Sequence, residues 1–130
     1  MLANVGGVQA AAVALGAAVG ALARWAAGLA LNSLWAGFPL GTLLVNCLGG
    51  GLIGVAMVWF QRWPNETLRL LLVTGALGGF TTFSSFSAES LGLLQRGQWP
   101  LALLHSAAHL LGALVCTALG FALARWLLLR

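Results

Sequence analysis

Between Phe80 and Ser87 three phenylalanines are interleaved with five hydroxyl side chains, Thr81, Thr82, Ser84, Ser85 and Ser87. Aromatic edges carry the positive end of the ring quadrupole, and hydroxyls are neutral donors. Side by side they suit a small anion. Phe80, Phe83 and Phe86 recur every three residues, which predicts rings stacked along one side of their element. Asn46 follows Thr42 by four positions and shares its helix face. An Asn there is either a hydrogen-bonding staple between helices or a polar group lining a path. Glu89 is the only acid within a predicted span and lies near its end, so the acid ring of a cation pathway is missing. It is expected to be protonated, paired or drawn to the interface. His105 and His109 stand one turn apart, a metal-ligand spacing, but no further His, Asp or Glu accompanies them on their helix. Helix packing and hydrogen bonding are the expected roles. No nucleophile, base and orienting group assemble from this inventory, which argues against an enzyme.

The elements that must position these residues follow from composition. Of 130 residues 61% are apolar and 6% charged, too few charges to cover a soluble domain but fitting for a surface that meets hydrocarbon. The net positive charge comes from six scattered Arg, without the clustered stripe that nucleic acid requires. Crossing a bilayer takes roughly 20 apolar residues as a helix. Four stretches meet this, residues 8–30, 40–60, 68–94 and 101–124, read as one four-helix transmembrane domain spanning 1–130. The first is expected to be a mature helix, since no basic stretch precedes it and Arg24-Trp25 follows instead of a cleavage site. Arg62, Arg69, Arg125 and Arg130 fall on one side of such a protein, and Arg24 and Arg96 on the other. That bias is small, so insertion in either orientation is compatible with it.

The third span holds its own interruption. Gly75, Gly78 and Gly79 followed by the hydroxyl run favour local alternatives to helix, predicting a break near mid-membrane. Broken helices in a bilayer are tolerated where freed backbone groups are buried in protein or line a cavity. The pairs Gly16/Gly20, Gly50/Gly54 and Gly75/Gly79 have the spacing of close helix contacts and are read as packing seams. Cys47 and Cys116 have neither disulfide-framework nor zinc spacing and are read as buried, inert thiols.

The strings Gly78-Gly-Phe-Thr-Thr-Phe-Ser-Ser-Phe-Ser-Ala-Glu89, Gly41-Thr-Leu-Leu-Val-Asn-Cys-Leu-Gly-Gly50 and Gly20-Ala-Leu-Ala-Arg-Trp25 resemble the CrcB/Fluc fluoride channels over nearly the whole chain. The resemblance implies an all-α, antiparallel, dual-topology homodimer in the bacterial inner membrane, with two pores that export fluoride passively. It further implies that Phe83 and Phe86 turn ring edges to fluoride and that Asn46 lines the pore. Ser84, Ser87 and Thr42 would extend a polar track, with Thr82 beside it and Arg24 and Glu89 as supporting charges. A structural, non-transported sodium ion is implied on the carbonyls of Gly78 and Thr81. In the fourth helix the family's pore side commonly carries hydroxyls, whereas this chain has His109 and Ala113. Two other readings differ at the level of function. A small multidrug exporter needs an acid in the first span, where this chain has Arg24; a non-transporting scaffold would use only the glycine faces.

Overall fold

A computed structural model describes residues 6–130 and is all-helical. The stretch preceding the first span, on which the mature-helix reading rests, lies outside the described residues. Four helical spans are long and apolar enough to cross a membrane. They are α1 (Gly7–Leu31), α2 (Leu40–Arg62), a third span over Glu66–Gln95, and a fourth over Trp99–Leu128. The chain is a multi-pass membrane protein.

Turn chemistry ends each span where the sequence asks for it. Gly37 (φ 81°) and Gly97 (φ 72°) take left-handed backbone in the loops after α1 and after the third span. Trp63 ends α2 because the following Pro64 disfavours helix at the residue before it. The Asn65 side chain then accepts from the Leu68 amide at 2.9 Å and starts the third span.

That span is two helices with a joint between them. Its first half, α3, is α-helical at Glu66–Arg69, π-helical over Leu70–Leu77 and α-helical again at Gly78–Phe80. Thr81 (ψ 157°) and Thr82 (ψ 117°) are extended. The second half, α4, runs Phe83–Gln95 and is capped by Thr82, whose hydroxyl accepts from the Ser85 amide at 3.1 Å. The fourth span, α5, is Trp99–Leu128, with Pro100 in its first turn, where a missing N–H costs nothing. The predicted break is present. It falls at two threonines, however, and of the glycines preceding it, all with ordinary helical backbone, Gly75 and Gly79 serve another purpose.

That purpose is close approach. A Cβ on Gly16 would lie 2.1 Å from the Leu71 carbonyl oxygen, one on Gly20 2.1 Å from that of Ala76, and one on Gly79 2.4 Å from that of Ala17. A Cβ on Gly75 would lie 2.8 Å from the Val13 oxygen, so the first and third glycine pairs form the α1–α3 seam. Across the molecule a Cβ on Gly50 would come similarly close to the Ala113 oxygen, at 2.7 Å, and one on Gly54 or Gly120 closer still to the oxygens of Thr117 and Gly51, which builds the α2–α5 seam. Few large side chains are enclosed: Phe38, Val45, Val58, Leu93 and His105. Leu15, Leu22, Leu103, Leu110 and Leu119 point outward, as the lipid-facing surface of a span requires. Cys47 and Cys116 are free, as their spacing indicates, and half-buried where buried thiols are expected.

Candidate ion path at the helix break

Asn46, on α2, holds the joint between α3 and α4 together. Its Oδ1 accepts from the Thr82 amide at 2.8 Å, and its Nδ2 donates to the Thr82 carbonyl at 2.9 Å. Both polar groups of an extended residue inside the membrane are thereby satisfied from another helix. The same Nδ2 lies 3.0 Å from His109 Nδ1 on α5. The staple role is realised, and Asn46 also borders an open recess of about 460 Å³ with Gly78, Thr81, Phe83, Phe86 and His109.

The other freed carbonyls find different fates. Arg24 donates from Nε to the Gly79 oxygen at 3.0 Å, so this cation in the first span is bound to the break itself. The Leu77 oxygen accepts from both the amide and the hydroxyl of Thr81, at 3.0 and 2.9 Å. In an unbroken helix the Gly78 and Thr81 carbonyls would take the amides of Thr82 and Ser85. Here those amides go to Asn46 Oδ1 and Thr82 Oγ1, and no backbone amide among the described residues replaces them. Both residues border the first recess, and backbone oxygens without an amide partner are ligands that a hard cation takes.

On the far side of Thr82 lies a second recess of about 370 Å³, lined by Arg24, Asn32, Thr42, Thr82, Ser85 and Glu89 among others. Thr42 donates to Glu89 Oε1 at 2.6 Å, and Glu89 Oε2 lies 3.1 Å from His105 Nε2. Glu89 is thus held between two other helices instead of being drawn to the interface. Ser90 Oγ reaches His105 Nδ1 at 2.7 Å and Ser106 at 3.2 Å. The fourth helix adds no His, Asp or Glu to its two histidines, but the third span does. Glu89, His105 and His109 place one ligand-capable atom each within 4.8 Å of one another, a proximity invisible to spacing along one helix.

The phenylalanines divide at the break. Phe83 and Phe86 meet edge-on with centroids 5.3 Å apart, and Phe86 continues onto His109 at 4.6 Å and His105 at 5.4 Å. Phe80 belongs to α3 and faces the Gly49 side of α2. The expectation of three rings in one stack is corrected, because a helical period does not carry across extended backbone. The partners that continue the row are the histidines. Phe83 is 78% exposed in the single chain, and Ser84 and Ser87 are exposed beside it. Ser84 approaches Thr82 Oγ1 at 3.3 Å, and Ser87 donates back to the Phe83 carbonyl at 2.9 Å. Neither serine lines the two recesses; Ser85, which had no assigned role, does.

Against known proteins, residues 11–121 match the model of the family described as CrcB-like protein, Camphor Resistance (CrcB). A protein of Bordetella petrii named fluoride-specific ion channel FluC is 55% identical over 114 residues, covering 85% of this chain and 87% of its own. Relatives of the same name from Aromatoleum aromaticum and Pseudomonas aeruginosa are each 50% identical, covering 85% and 90% of this chain and 86% and 94% of their own. Family match, four spans and a Phe-Thr-Ser joint pinned by Asn46 converge: the chain belongs to the CrcB family.

Proposed function

We propose that this chain forms a fluoride-selective channel that lowers cytoplasmic fluoride by passive export across the bacterial inner membrane. The observation carrying this reading is the recess at the break, where the Phe83 and Phe86 rings, the Asn46 amide and the His109 ring converge without a carboxylate among its lining residues. Neutral donors and positive ring edges stabilise a small anion without holding it as tightly as a fixed cation would, which conduction requires. A negative-inside potential drives each anion outward by about 2.3 kcal/mol per 100 mV, so no energy-coupling site is needed. The names of the relatives point the same way.

One copy leaves the path open on one side, and Phe83 faces outward there. A second, inverted copy would close it, giving an antiparallel homodimer with two pores. Gly78 and Thr81 would hold a structural sodium ion through their carbonyls. Bound there, the ion supplies only charge to satisfy backbone oxygens. The chain's own contribution is to keep those oxygens free, by diverting the Thr82 amide to Asn46 and the Ser85 amide to Thr82.

Reconstitution into liposomes loaded with potassium fluoride tests the channel reading. Fluoride should leave rapidly once potassium current is allowed, while chloride-loaded liposomes retain their contents. Equal release of both ions, or of neither, would exclude it.

A further inference from the structure

His109 is 4% exposed, and its Nε2 is a buried nitrogen without a hydrogen-bond partner among the described residues. The surrounding bonds decide what that nitrogen carries. A backbone amide only donates, so Thr82 N–H identifies the Asn46 atom it meets at 2.8 Å as Oδ1. The other amide atom is therefore the NH₂, and its two hydrogens face the Thr82 carbonyl at 2.9 Å and His109 Nδ1 at 3.0 Å. Against a donor, Nδ1 must be the bare, accepting nitrogen. The ring proton then resides on Nε2, which makes His109 a neutral donor with nothing to donate to.

Resting on the reading that the chain conducts fluoride, the geometry points to His109 Nε2–H as a hydrogen-bond donor to the ion in transit, held in that tautomer by Asn46. A buried N–H without an acceptor is costly and rare. The ring borders the recess beside Phe86 and Asn46 while Nε2 itself is covered, so a small anion that enters there and shifts the covering atoms supplies the missing acceptor. The carboxylate nearby does not take that role: Glu89 Oε1 and Oε2 are engaged by Thr42 and His105, and neither makes a hydrogen bond to His109. The same tautomer disfavours a metal on Glu89, His105 and His109, since one His109 nitrogen faces an NH₂ and the other bears the proton. Fluoride accepts a stronger hydrogen bond from such a donor than chloride does, which offsets part of its larger dehydration cost without adding a fixed positive charge.

Two measurements test this. In the wild-type protein with ¹⁵N-labelled histidine, NMR should show His109 with a bare Nδ1 and a protonated Nε2. Potassium fluoride, but not potassium chloride, should shift the Nε2 signal. In liposomes, His109→Phe keeps the ring stack and should lose flux by about tenfold to a hundredfold, the lower range for removal of one anion donor. His109→Gln offers both an acceptor to Asn46 and a donor to the ion, and should retain flux within about threefold of wild type. A protonated Nδ1, an Nε2 signal indifferent to fluoride, or a His109→Phe channel as fast as wild type overturns the assignment. Because the NMR arm uses unmodified protein, it decides the matter even if a variant misfolds. Failure of the channel reading itself appears separately, as a wild-type protein that releases no fluoride.

Discussion

Asn46 makes three hydrogen bonds, to both polar groups of Thr82 and to His109, so its loss acts on shape and on conduction together. Asn46→Ala leaves a buried amide without an acceptor and should destabilise the fold by about 1–3 kcal/mol. Thermal unfolding in detergent should show the loss, and fluoride flux should fall in whatever protein remains folded. A variant as stable as wild type would mean that water replaces the amide. Phe83 and Phe86 act differently, since their edges contribute charge distribution and not hydrogen bonds. Phe86→Ile fills similar space without that edge and should reduce fluoride flux by about tenfold, some 1.4 kcal/mol, with the fold retained. Flux unchanged in both Phe83→Ile and Phe86→Ile would remove the rings from the mechanism.

The elements are held by glycine seams and by one embedded cation. With backbone oxygens about 2 Å from where a side chain would start, Gly20→Val cannot be accommodated without separating α1 from α3. It should cost several kcal/mol, on the order of the largest overpacking penalties, and show as loss of a monodisperse peak in size-exclusion chromatography. A conservative test of the break is Arg24→Gln, which removes the charged donor from the Gly79 carbonyl. A hydrogen bond from a charged group contributes about 1.5–3 kcal/mol. The melting temperature should therefore fall, and an unaltered one would show that the bond is dispensable.

At the scale of the molecule the proposed inverted pair makes two separable predictions. Arginine on both sides of the spans gives little bias to insertion, so a C-terminal reporter should give signal from both faces of native membranes. Exclusive signal from one face, with channel function intact, would contradict dual topology. Gly78 is exposed, and a Cβ there would meet only the Val73 oxygen at 3.7 Å. A Cβ at Gly78 thus fits within one chain, and the rest of a Leu side chain projects toward the recess that Gly78 borders and toward whatever approaches from outside. Gly78→Leu should weaken dimer association and sodium dependence while helix content, read by circular dichroism, stays unchanged. Thr81→Ser keeps the backbone ligand and should behave as wild type. If replacing sodium by a large organic cation changes neither flux nor dissociation, no structural sodium is held there.

Spans, loops, glycine seams and the existence of a break were legible in the sequence, because each follows from local content. Twenty apolar residues must be helical in a bilayer, small residues four apart make a smooth face, and a glycine and hydroxyl run weakens a helix. The location of the break at Thr81–Thr82 was not legible, since it depends on an amide from Asn46, 36 positions away, that offers extended backbone its only satisfied state. The π-helical stretch over Leu70–Leu77 left no sequence mark either; its register is set against the α1 seam. Spacing showed that His105 and His109 share a face, and nothing more. Tertiary structure alone placed Glu89 beside the first and Asn46 beside the second, because hydrogen bonds between helices depend on which faces the packed seams bring together, and chain separation does not encode that.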